Sequence, residues 1–103
     1  AAIDQADEEG CTPLLMACHF GHLECVQLLL EANADINQAR NDGATPLFMA
    51  CYQGHLECVR LLLEASAAVN QAAEDGATPL FIACQKGHLE CARLLLEADA
   101  AIN

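Results

Sequence analysis

Three copies of Gly-His-Leu-Glu-Cys mark the chain, at 21–25, 54–58 and 87–91. A base, an acid and a thiol within four residues are the parts of a thiolate nucleophile or a metal site. A nucleophile needs its base within hydrogen-bond reach, and zinc needs ligands that converge tetrahedrally. On a helix, residues i and i+3 share a face, so His22 could approach Cys25. Repetition argues against catalysis. Three copies would make three small sites without an oxyanion hole, whereas an enzyme presents one concave site with unique surroundings. Neither Cys-x-x-Cys nor His-x-x-x-His occurs. Packed helices lie about 8–10 Å apart. That is too far for cysteines of successive copies to share an ion, or to reach the roughly 4.4–6.8 Å between Cα atoms that a disulfide needs. A Cys18–Cys25 pair within one copy stays open. The expectation is no catalytic residue, no cofactor and no metal, with thiol-based metal binding as the weakest alternative.

The pentapeptide belongs to a longer period. Thr12-Pro13-Leu14 recurs at 45–47 and 78–80, and Leu28-Leu29-Leu30-Glu31-Ala32 recurs at 61–65 and 94–98, always 33 residues on. Residues 10–42 and 43–75 are identical at 23 of 33 positions, and 43–70 and 76–103 at 22 of 28. Such self-similarity marks a repeat architecture. The units are expected at 10–42, 43–75 and 76–103, with 1–9 as the tail of a preceding unit.

Each unit has the same local chemistry. Thr12, Thr45 and Thr78 suit an N-cap, and the proline after each suits the first helical position. A short apolar helix follows, closed by Gly21, Gly54 or Gly87. A second helix runs from about His22, His55 or His88 to the leucine-rich LLLEA segment. Its first turn carries Glu24, Glu57 or Glu90, where the macrodipole favours an anion. Glu57–Arg60 and Glu90–Arg93 are spaced i,i+3, and Arg60–Glu64 and Arg93–Glu97 i,i+4. Leu14, Leu47, Leu80, the three leucine runs and the cysteine columns 18/51/84 and 25/58/91 are expected in the core, since free Cys packs as a small hydrophobe. Leu15, Phe48, Phe81, Met16, Met49 and Ile82 are expected there as well.

Net charge is −11, and the only cations besides histidine are Arg40, Arg60, Lys86 and Arg93. Four scattered cations make no phosphate-binding face, so nucleic acid is excluded as a partner, and an anionic membrane surface is disfavoured likewise. A neutral or basic protein is the favoured partner. The sequence has no apolar run of about 18 residues and no signal-peptide pattern at its start. With seven cysteines, an odd number, the expectation is an intracellular chain with reduced thiols.

Gly43, Thr45-Pro46-Leu47, Ala50-Cys51, Gly54-His55-Leu56-Glu57 and Leu61-Leu62-Leu63 together resemble the ankyrin repeat, and the resemblance covers the whole chain in fixed phase. It implies an all-α solenoid of three stacked antiparallel helix pairs, with β-turn or finger loops projecting from one edge. It also implies a non-enzymatic scaffold that binds protein through the fingertips and the concave face of the first helices. Three departures stand out. Leu15, Phe48 and Phe81 replace the usual His after Thr-Pro-Leu, which implies added apolar packing. Of Asp7, Arg40 and Ala73, only Asp7 keeps the usual fingertip Asp. Asn33, Ser66 and Asp99 replace the usual Gly after the second helix.

Variation inside the constant frame singles out partner-binding candidates: Glu8, Arg40, Asn41 and Glu74 on the fingers, and His19, Phe20, Tyr52, Gln53, Gln85 and Lys86 at the ends of the first helices. Phe20 and Tyr52 are the expected anchors, since aromatics dominate hot spots. The alternative is an engineered or idealised array without a natural partner. The frame begins and ends mid-unit, so the expected state is a monomer or a weak end-to-end self-associate.

Overall fold

The computed structural model describes residues 2–102. Among them the chain forms α1 (Pro13–Phe20), α2 (Leu23–Glu31), α3 (Pro46–Gln53), α4 (Leu56–Glu64), α5 (Pro79–Gln85) and α6 (Leu89–Ile102). The architecture is all-α, three stacked helix pairs. The first helices form one layer, α1 on α3 and α3 on α5, and the second helices another, α2 on α4 and α4 on α6.

The local signals act as the sequence predicts. The Oγ1 atoms of Thr12, Thr45 and Thr78 accept from the amides of Leu15, Phe48 and Phe81 at 3.1–3.2 Å, and proline occupies the first turn of each following helix. Gly21 and Gly54 end α1 and α3 in the left-handed region at φ 72° and 74°, where only glycine is unstrained. Arg60 and Arg93 pair with Glu57 and Glu90, a turn earlier, at 3.5 and 3.4 Å.

The second helices end differently. Asn33 and Ser66 take φ 65° and 70° after α2 and α4, the conformation in which a helix gives way to an extended tail. At the matching Asp99, α6 continues instead of stopping at the LLLEA segment as expected.

Cross-bonds lace the pairs together along two lines besides the helix packing. In the tails, the Asp35 amide donates to Asp4 Oδ1 and the Ala68 amide to Asn37 Oδ1, both at 2.9 Å. In the fingers, the Asn41 amide donates to the Glu9 carbonyl at 2.8 Å and the Glu74 amide to that of Asp42 at 2.9 Å.

The core differs from the expectation in one systematic way. Leu14, Leu47, Leu62, Leu95, Val26 and Val59 are buried, as are Cys18, Cys51, Cys58 and Cys91. Cys25 and Cys84, expected in the same columns, are exposed. Leu28 and Leu96 are exposed where their middle copies Leu61 and Leu63 are half-buried, and Leu80 is half-buried where Leu47 is buried. Met16 and Phe81 are exposed while Met49 and Phe48 are buried. A residue in the middle pair is covered from both sides, whereas its copies in the outer pairs face one neighbour. Period fixes which way a side chain points, and place in the stack fixes whether anything covers it.

Candidate binding groove

Gly-His-Leu-Glu-Cys is a joint between units. His55 Nε2 lies 3.1 Å from the carbonyl oxygen of His19, and His88 Nε2 3.1 Å from that of Tyr52. A carbonyl only accepts, so Nε2 carries the proton in both. Each imidazole also lies on the glycine of the unit before: a Cβ at Gly21 would come within 2.7 Å of His55, and one at Gly54 within 2.6 Å of His88. His22 and His55 start their helices without capping them through the side chain. The histidine therefore ties the start of a second helix to the end of the preceding first helix.

The fingers are stiffened by carboxylates. Asp7 Oδ1 accepts from the amides of Glu9 and Cys11 at 2.9 Å, and Asp42 and Asp75 accept from Ala44 and Ala77 at 3.1 and 3.0 Å. Where Arg40 replaces the usual Asp, its guanidinium makes two bonds of 2.9 Å to Asp42. Those bonds hold the Asp42 carboxyl below the ordinary carboxylate range. Asp7, Glu9 and Cys11 also place ligand-type atoms within 4.8 Å of one another. This is a consequence of the Asp7 turn, which draws the residues at 7, 9 and 11 together around one carboxylate.

Between the second and third fingers and the helices α3 and α5 lies a groove of about 460 Å³. Phe48, Ile82 and Ala77 form its buried floor. Phe81, 56 % exposed, and Tyr52, 37 % exposed, stand in it as aromatic surface. Arg40, Asp42, Glu74, Asp75, Gln85 and Lys86 make a rim of mixed charge. The Lys86 ammonium lies 4.6 Å from the centroid of the Tyr52 ring, a cation–π distance that pins the ring against the wall.

The ten candidates separate into distinct places. Arg40, Tyr52, Glu74, Gln85 and Lys86 share the groove. Glu8, Arg40 and Asn41 line a smaller polar cleft of about 300 Å³ between the first two fingers, where Asn41 Nδ2 donates to the Glu8 carbonyl at 3.0 Å. Phe20 belongs to an apolar hollow of about 420 Å³ on the outer side of α1 and α2, with Met16, His22, Cys25 and Leu28. His19 is half-buried with Nδ1 unpartnered, its ring edge-on to Phe20 at 4.6 Å. Gln53 is exposed at the end of α3. Sequence reasoning missed Phe81, which it assigned to the core. Phe81 follows the same Gly-Ala-Thr-Pro-Leu as buried Phe48, so nothing leading into it marks the difference.

Helix pairs that cap, turn and interlock by the same bonds at a fixed period define a repeat solenoid. The sequence model of ankyrin repeats, in three copies, matches residues 33–103, and that of the single ankyrin repeat matches residues 9–41. The chain belongs to the ankyrin repeat family, whose repeats are generally protein–protein interaction modules and typically non-enzymatic. A comparison with curated proteins finds no match. Among the described residues, no helix is long and apolar enough to cross a membrane.

Proposed function

We propose that the groove between the fingers and α3/α5 binds an extended segment of a protein partner. The observation that carries this reading is the pair of solvent-facing aromatics, Tyr52 and Phe81, over a buried apolar floor and inside a rim of mixed charge. Aromatic anchors in an apolar pocket, ringed by polar groups, are the usual anatomy of a hot spot. An apolar or aromatic side chain of the partner fills the space between Phe81 and Tyr52, and its backbone bonds the rim at Gln85 and Glu74. Glu8 and Asn41 extend the contact along the fingertips, while His19, Phe20 and Gln53, at the ends of α1 and α3, stand outside the groove lining. The chain's net charge of −11 favours a partner that is neutral or basic. The same reading excludes nucleic acid and a membrane surface as the occupant.

Selection from a displayed library of unstructured peptides tests this. Peptides recovered on the intact chain should lose more than about tenfold in affinity to a Tyr52→Ala, Phe81→Ala double variant, since hot-spot truncations cost over 1 kcal/mol each. Recovered peptides that bind the double variant equally well would sink the groove as the site.

A further inference from the structure

We infer that the occupant of the groove is an extended segment carrying two basic side chains about six residues apart, and that the carboxylates of the first and third fingers read that spacing. This deepens the groove reading and rests on it.

The groove continues past its own walls. It shares Arg40 and Asp42 with the cleft between the first two fingers, so the two hollows meet at the second finger and form one trough. Charge along that trough is uneven. Glu8 and Glu9 on the first finger are exposed, as are Glu74 and Asp75 on the third. Among the described residues, none of these four carboxylates is ion-paired. The second finger is electrically silent at the matching positions. Asn41 stands where its neighbours carry Glu8 and Glu74. Asp42 is neutralised by Arg40, whose guanidinium makes two bonds of 2.9 Å to it. On the helix wall the Lys86 ammonium lies 4.6 Å from the centroid of the Tyr52 ring. A guest cation is therefore repelled from that wall and drawn to the fingers.

The pitch of the stack sets the spacing. The first and third fingers are two units apart, which is roughly 16–20 Å at a packing step of about 8–10 Å per unit. An extended chain advances about 3.1–3.4 Å per residue, so about six residues cover that distance. A step of about six also returns a side chain to the same face, both in a strand of period two and in a polyproline helix of period three. A step of about three would bring the second cation to the Arg40–Asp42 pair, which is already neutral. Tyr52 lies in the groove between the second and third fingers. The apolar residue that fills the groove thus falls between the two cations, nearer the one held by Glu74 and Asp75.

The peptide selection on the intact chain tests this when the recovered sequences are read for spacing. The expected result is an excess of arginine or lysine pairs about six residues apart over pairs about three apart, with an apolar residue between them. That excess should vanish on a Glu8→Gln, Glu74→Gln double variant; both sites are exposed, and unchanged circular dichroism confirms the fold. A synthetic copy of a recovered peptide should lose about fivefold in affinity when both basic residues become glutamine, the scale of two exposed ion pairs. A scrambled peptide of the same composition should also bind more weakly. Equal binding of the scrambled peptide would mean that net charge alone holds it, and overturns the inference. The two readings fail separately. Peptides that depend on Tyr52 and Phe81 but show no spacing preference leave the groove in place and overturn this inference. Peptides indifferent to Tyr52 and Phe81, or a selection that recovers none, remove the groove and this inference with it.

Discussion

His55 Nε2 lies 3.1 Å from the carbonyl oxygen of His19, and the same imidazole rests on Gly21 two residues further on. One side chain thus satisfies an acceptor at the end of α1 and fills the space that glycine leaves open. The contact recurs between His88, Tyr52 and Gly54. Glycine is required there twice, once by its φ and once by the ring above it.

The two requirements separate by mutation. Gly21→Ala and Gly54→Ala should each cost about 1–2 kcal/mol for the left-handed conformation, plus the displacement of an imidazole. Gly87→Ala shares the φ of 74° and meets nothing, so it should cost only the first part. His55→Ala should lose about 1 kcal/mol for the hydrogen bond, while His22→Ala leaves the monomer unchanged. Urea unfolding measures all five. Equal losses for Gly21→Ala and Gly87→Ala would show that the ring contact contributes nothing.

Ser66 holds φ 70° at the end of α4, a conformation unfavourable to a residue with a Cβ. Ser66→Gly should therefore stabilise the chain by about 1 kcal/mol, with a smaller gain for Asn33→Gly, since Asn tolerates that region better. Thermal unfolding checks the order. A Ser66→Gly variant less stable than its parent would mean that the serine makes a compensating contact.

Much of this architecture is written in the sequence. Thr-Pro, the glycine and the leucine run act within single helices, so their roles follow from local physics, and the 33-residue period fixes how the units stack. The histidine's role was hidden because its partners lie outside its own unit, 34 and 36 residues back. The same limit explains Cys84 and Phe81. The residues leading into them match those before Phe48 and Cys51 except for Ile82 in place of Met49, yet they are exposed because cover depends on the stack. The groove was half legible: variability marked Tyr52, Glu74, Gln85 and Lys86, while Phe81 carried no mark at all.

The thiols should react according to that cover. In dilute native protein, Cys25 and Cys84 should be alkylated by maleimide first, and the five buried cysteines only on opening. Peptide mapping of a time course resolves the order. Early labelling of Cys18 or Cys51 would contradict the packing of α1 against α3.

Burial also makes stability depend on alkaline pH. Desolvation pushes the Cys18 and Cys51 thiols up, with smaller contributions from Cys58 and Cys91 nearby. Cys58 and Cys91 are themselves raised by burial and then by the charges of Glu57 and Glu90. In the unfolded chain a thiol ionises near about pH 8.5. Above that pH the unfolded chain binds fewer protons than the folded one, so the free energy of unfolding falls as pH rises. The stabilisation is complete below about pH 8.5 and declines above it, by about 1.4 kcal/mol per pH unit for each thiol still protonated in the fold. Urea midpoints measured from neutral to about pH 10 should fall accordingly. In a Cys18→Ala, Cys51→Ala variant the midpoint at neutral pH drops because two packed sulfurs are lost, but its decline with pH should be clearly shallower. Parallel declines for parent and variant would show that these two thiols do not set the alkaline limit of the fold.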